Sequence, residues 1–272
     1  MKLIGKACVP GHNENMNRRH ALFTLAAVPL LAAAARAGAA QPYKVSLLSG
    51  SQDGDVWQAG ILVELEPDWK TYWRVPGDTG IPPQVDWAGS ENSAAIEVGF
   101  PVPSRFNDAG GESIGYHDKV LFPVSVRPKK AGEAVRLKLN MFFAVCKGIC
   151  IPAKAKADLL LNSSTINPEL TNWQQRGPRI VAMGEAPAVT AARIETPQGK
   201  PTLVLRLTKP AQDIFVESET TAYFGKPQFD LAPEEAWLPI WNLDDPEKLR
   251  GVPLRVTLSF GDSGIEQKLT VN

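Results

Sequence analysis

The chain has 272 residues, 44% of them hydrophobic, with 29 basic and 29 acidic side chains, three histidines and three cysteines. This balance lacks the basic stripe that nucleic-acid phosphates require. The absence of a nucleophile elbow, an H-E-x-x-H run or a glycine-rich phosphate loop leaves hydrolase and nucleotide chemistry without a foothold.

The first recognisable element is NRRHALFTLAAVPLLAAAARAGAA, residues 17–40. A basic start, an apolar stretch and small residues of the A-x-A kind make a secretory signal, expected to be cut near Ala39 or Ala40. Its apolar stretch, Ala21 to Ala35, is broken by Pro29 and falls short of the roughly 20 residues a spanning helix needs. Met16 is the natural start, so residues 1–15 read as an upstream extension and Cys8 is not expected in the mature protein. Arg18-Arg19 fits a twin-arginine signal poorly. Removing residues 1–39 takes away Lys2, Lys6, Arg18, Arg19, Arg36 and Glu14, leaving 24 basic and 28 acidic residues, a net charge of −4. No later stretch is apolar enough to cross a membrane. The mature chain is therefore expected to be soluble in an oxidising exported space, where two cysteines, Cys146 and Cys150, can pair.

About 230 mature residues suggest two domains. The hydrophobic pattern is almost wholly of period two. WQAGILVEL places Trp57, Ala59, Ile61, Val63 and Leu65 on one face, and VRLKLNMFFAV does the same with Val135, Leu137, Leu139, Met141, Phe143 and Val145. The alternation returns at Leu203, Leu205 and Leu207, and at Leu254, Val256, Leu258 and Phe260. Short strands punctuated by Pro and Gly predict antiparallel β-sandwiches. Between the two sets, Asn167-Pro168 starts and Gly177-Pro178 stops a short helix. The expected organisation is a sandwich over 42–163, a linker with a helix over 164–185, and a second sandwich over 186–272.

The cysteines lie in AVCKGICIP, residues 144–152. A strand ending at Cys146, the turn KGI with Gly148 free to turn left-handed, and a strand returning from Cys150 set the pair face to face across a hairpin. Directly opposed residues lie ~4.5 Å apart at Cα in the non-hydrogen-bonded register, a span a disulfide can bridge. Parity puts Cys146 with Arg136, Lys138 and Asn140, and Cys150 with Lys154, Lys156 and Asp158, so both sulfurs are expected on the outer face of the sheet.

Three chemistries are open to this pair. As a staple it closes almost the shortest useful loop, contributing on the order of 2 kcal/mol against ~4.7 kcal/mol for a loop of a hundred residues. As a metal site it would draw on Met141 or His117 to hold a soft ion such as Cu(I). As a reactive pair it would exchange thiols with other proteins. Met141 has the opposite parity, however, and His117, the only histidine after the signal, reads as an exposed loop residue. Asp86, Glu91, Asp108 and Glu112 read as solvated loop charges, and Trp69, Tyr72 and Trp73 as packing.

In order, DWKTYWRVPGDTGIPP, FNDAGGESIGYHDKVLFPVSV and VRLKLNMFFAVCKGICIPAKAKADLLL resemble the N-terminal periplasmic domain of the DsbD-type thiol:disulfide interchange proteins, including the copper-sensitivity suppressor group. The resemblance covers about residues 43–162, and residues 186–272 look like the second β-domain of longer members. It implies two immunoglobulin-like sandwiches and a cysteine pair that cycles between dithiol and disulfide without a cofactor. The pair would relay electrons from a membrane-embedded thiol reductase to periplasmic thioredoxin-like or other disulfide-containing proteins, the setting of cytochrome c biogenesis and copper tolerance. Cys150 would form the mixed disulfide with partners and Cys146 would resolve it. The family's cap loop maps onto Asn107 to Gly111, where NDAGG replaces its acidic and aromatic residues. Asp108 is left to assist proton movement, and Phe106, Tyr72 or Trp73 to shield the sulfurs. The sequence contains no counterpart of the membrane-embedded and thioredoxin-like portions, so the resemblance implies a free-standing carrier. A docking or scaffold module with a structural bridge, and a copper-handling protein, are the rival readings.

Overall fold

The computed structural model describes residues 41–272 apart from positions 78, 109–110, 183–184, 231–233, 244 and 272, with only the backbone at 108. The expected export segment, with Cys8, Met16 and the Arg18-Arg19 pair, lies outside the described residues, as does part of the expected cap loop. Residues 41–272 form one compact unit.

Ten strands come first: β1 (Tyr43–Asp53), β2 (Val56–Leu65), β3 (Lys70–Gly77), β4 (Gln84–Asp86), β5 (Ser93–Val98), β6 (Ser104–Asp108), β7 (Gly111–His117), β8 (Lys119–Pro128), β9 (Val135–Lys147) and β10 (Ile149–Leu161). They make two antiparallel sheets, β1-β2-β8-β5 and β10-β9-β3-β7-β6, with β4 added against β9. The period-two faces meet between them. Ala59, Ile61 and Val63 from β2, and Val135, Leu137, Leu139, Phe143 and Val145 from β9, are all at most 1% exposed. Each of the Val, Leu, Ile and Phe side chains among them contributes roughly 1.5–3 kcal/mol by leaving water.

The helix α1 (Pro168–Gln175) begins where the sequence places it, with Asn167 Oδ1 accepting from the amides of Glu169 and Leu170. Leu170 packs on the outer face of the first sheet against Leu62 and Leu121, and that is why Leu62 is buried despite its parity. Glycine makes room for it: a Cβ at Gly50 would lie 2.4 Å from Leu170 Cδ2, and one at Gly60 would lie 2.7 Å from Leu121 Cδ2.

Nine further strands follow: β11 (Pro178–Ile180), β12 (Val189–Glu195), β13 (Thr202–Leu207), β14 (Asp213–Ser218), β15 (Tyr223–Phe224), β16 (Gln228–Phe229), β17 (Glu235–Trp241), β18 (Pro253–Ser259) and β19 (Gly264–Thr270). They form the sheets β12-β13-β17-β15, with β16 against β17, and β11-β19-β18-β14, in which β11 runs parallel to β19. Leu203, Leu205, Leu207, Leu254, Val256 and Leu258 fill the cluster between them. Strand β14 serves two cores. Ile214 and Val216 face its own sheets, while Phe215 between them turns into the first core and meets Trp73, ring centroids 5.6 Å apart. A short run of consecutive apolar residues is the sequence mark of a strand covered on both faces. The all-β layering is consistent with an immunoglobulin-like fold.

Candidate active site

The two thiols sit at the turn end of the β9–β10 hairpin. The ladder runs without a shift from Val135↔Leu161 to Lys147↔Ile149, so Cys146 lies directly opposite Cys150. Gly148, at φ +72°, makes the turn, a conformation a side chain there would strain. Cys150 Sγ donates to Cys146 Sγ across 2.7 Å, and the Tyr72 hydroxyl lies 2.9 Å from Cys150 Sγ.

The two cysteines differ sharply in access. Cys150 is exposed, flanked by Ile149 at 75% and Ile151 at 41% exposure, whereas Cys146 is 6% exposed. The flanking isoleucines thus face solvent and leave Cys150 uncovered. Parity does place Cys146 on the outer face of β9, but that face is not open at this end. Tyr72 and Ala144, both fully buried, and the partly buried Ile81 form a small separate cluster with Cys146.

The cover comes from β3 and the loop after it. Residues 70, 72 and 74 share one face of β3, and the ladder pairs Lys70 with both Cys146 and His117. Gly80, at φ +142°, lies so close to the Tyr72 ring that a Cβ there would be 2.5 Å from two ring carbons. The loop thereby clamps the ring over the thiols. Burial first, and then its hydrogen bond with Cys150, raise the Tyr72 pKa, so this hydroxyl keeps its proton and can donate. Burial also raises the Cys146 pKa, reinforced by the hydrogen bond with Cys150 and opposed by Tyr72 and Lys70.

Lys70 is the residue that sequence reasoning missed. It is 9% exposed, its Nζ lies 3.3 Å from Ser113 Oγ and 5.3 Å from the centre of the Phe106 ring, and it is close enough to both sulfurs for their charges to matter. Burial lowers its pKa and the two cysteines act in the opposite sense. Lys147, next in sequence to Cys146, points elsewhere, to Asp68 at 3.1 Å and the Pro67 carbonyl at 3.2 Å. The available signal was strand parity: Lys70 shares the face of Tyr72.

Of the aromatic residues expected to shield the pair, Tyr72 covers it directly. Phe106 helps wall a recess of about 400 Å³ with Lys70, His117, Lys147 and Cys146. Trp73 does not take part. It is one residue out of phase with Tyr72, so it points into the core, where it is 1% exposed and its ring lies tilted against that of Phe215. Asp108 ends β6 opposite Gly111; its side chain lies outside the described residues, as do positions 109–110 of the cap loop. His117 is exposed, its ring 6.0 Å from that of Phe106, and Met141 is 3% exposed in the core on the far face of β9. Among the described residues, no group of three or more His, Cys, Asp or Glu side chains could hold a metal ion.

Residues 38–162 match the family model described as "Thiol:disulfide interchange protein DsbD, N-terminal". No curated protein matches the chain. Among solved structures, the N-terminal periplasmic domain of ScsB from Proteus mirabilis is similar with a TM-score of 0.64 at 20% identity, covering 85% of this chain and 92% of that one. The BspA C-terminal domain of the Streptococcus agalactiae AgI/II polypeptide aligns at a TM-score of 0.19 and 8% identity. The ScsB likeness shows the fold. The family match spans the ladder that brings the thiols together, and residues 38–162 belong to the N-terminal domain family of the thiol:disulfide interchange protein DsbD.

Proposed function

We propose that the protein is a periplasmic thiol:disulfide exchange protein that relays electrons through Cys146 and Cys150. They would pass from a membrane thiol reductase to thioredoxin-like or other disulfide-containing partners in the exported space. The observation that carries this reading is the asymmetry of the pair: one sulfur is exposed, and the other is buried directly opposite it. In the reductive direction the Cys150 thiolate attacks a partner disulfide, forming a mixed disulfide and releasing one partner thiolate. Cys146, having lost its proton, then attacks Cys150 Sγ. The bond to the partner breaks, the Cys146–Cys150 disulfide forms, and two electrons and two protons in all have moved to the partner. Tyr72 can donate to Cys150, and Lys70 offsets negative charge on Cys146. Among the described residues no helix is long and apolar enough to cross a membrane. We further propose two immunoglobulin-like domains, 42–163 and 186–272, joined by 164–185, a division supported by the two hydrophobic clusters.

Reduced C146A, mixed with an oxidised thioredoxin-like protein, is expected to accumulate a covalent adduct on a non-reducing gel, and C150A is expected to give none. Equal adducts from the two variants, or no adduct from C146A, would contradict the assignment of Cys150 as the partner-facing thiol.

A further inference from the structure

The C-terminal sheets hold the β6–β7 hairpin, and the hairpin forms one wall of the thiol site. Arg105 on β6 is almost buried, its side chain 5% exposed. Its Nε and Nη2 donate to the two carboxylate oxygens of Asp213 on β14 at 3.0 and 3.1 Å, and Nη2 also donates to the Ile214 carbonyl at 3.1 Å. The guanidinium stacks 5.0 Å from the centre of the Phe215 ring and is paired with Glu112 on β7. Glu112 in turn accepts from the Tyr223 hydroxyl of β15 at 2.9 Å. Both strands of the hairpin are thus tied to the C-terminal sheets by charge-assisted bonds in a site largely closed to water, where such bonds are at their strongest.

The next residue after Arg105 is Phe106, and successive side chains of a strand point to opposite faces. Fixing Arg105 on one face therefore fixes Phe106 on the other, over Lys70 and beside the recess that reaches Cys146. We propose that residues 186–272 act on the thiol site through the Arg105–Asp213 anchor, which positions the Phe106 wall and limits access to Cys146. On this account the C-terminal sheets are a positioning element for the redox pair. Arg105 and Asp213 are positioning residues that touch neither sulfur. The inference adds to the proposed exchange function, but its test reads access to Cys146 and does not depend on whether a partner exchanges with the pair.

The test compares reduced wild type, D213N and E235Q, alkylated under native conditions. Modification of Cys146 and of Cys150 is resolved by peptide mass spectrometry. Glu235 pairs with Arg193 inside the C-terminal sheets, so E235Q removes an ion pair there without touching the hairpin. The expected result is a rise of about tenfold or more in the Cys146 rate for D213N, from loss of a charge-assisted anchor. Cys150 is expected to change little, E235Q to match wild type, and D213E to restore slow Cys146 modification. Should D213N fail to fold, Y223F keeps the ring and removes the hydroxyl bond to Glu112, and a smaller rise in the same direction is expected. Unchanged Cys146 rates in the folded variants, or an equal rise in E235Q, would overturn the proposal. Adduct formation by C146A reports on the exchange function separately, so the two readings can fail independently.

Discussion

Truncating Tyr72 to alanine is expected to cost about 3–5 kcal/mol of stability, in line with loss of a fully buried aromatic side chain. The ring is 1% exposed and fills the space between Gly80, Ile81, Ala144 and Cys146. Denaturant titration reads the cost, and native-state alkylation reads its second consequence. With the ring gone, Cys146 loses its cover and is expected to react faster than in wild type. Y72F separates the hydroxyl from the ring. It keeps the packing, so its stability is expected to stay within about 1 kcal/mol of wild type. The Tyr72 hydrogen bond lowers the Cys146 pKa, against the upward pull of burial and of the Cys150 bond. Removing the hydroxyl therefore raises that pKa, and the pH midpoint for Cys146 alkylation moves up in Y72F. A midpoint that stays put or falls would show that the hydroxyl does not support the thiolate.

Adding a single methyl group at Gly115 is expected to be nearly as damaging. Strand β7 runs so close to β3 there that a Cβ would sit 2.0 Å from the Thr71 carbonyl oxygen and 2.9 Å from Tyr72 Cα. Both obstacles are backbone, so no rotamer change relieves them and the two strands must part. We expect G115A to lose about 3 kcal/mol, the upper end of ordinary overpacking, seen as a lower denaturant midpoint. At Gly99 the nearest atom to an added Cβ is 3.5 Å away, an ordinary contact, and G99A is expected to lie within about 0.5 kcal/mol of wild type. Similar midpoints for G115A and G99A would mean that the β3–β7 approach is not rigid. The strand pair carries Lys70 and Tyr72 on one side and Ser113 on the other, so its closeness sets the geometry beside the thiols.

Much of this was legible from local pattern. The odd positions from Val135 to Val145 gave the core face of β9, and CKGIC gave a tight turn with the cysteines opposed, because both signals lie within a few residues of each other. Parity also put Cys146 on the outer face. Its burial was not legible, because the cover comes from Tyr72 and Ile81, more than sixty residues upstream, and no periodicity reports what a loop folds onto. The same limit hid Lys70: its strand had to be placed next to β9 before it had a role. Among the aromatic residues of DWKTYW the choice between shield and core was decidable in principle, since alternation assigns Tyr72 and Trp73 to opposite faces once either is fixed. Which face looked at the sulfurs depended on the neighbouring strand. Phe215 lay hidden for a related reason, as its partner Trp73 belongs to the other set of sheets.

The central claim is that Cys146 and Cys150 cycle between dithiol and disulfide, and the reduction potential of the pair tests it most directly. It is measured by equilibrating the protein without residues 1–39 in glutathione or dithiothreitol buffers and trapping the thiols. The directly opposed pair, with Cys150 exposed, predicts a value in the range of known exchange proteins, roughly −120 to −270 mV. A value below about −300 mV, that of a structural bridge resistant to reduction, would contradict it.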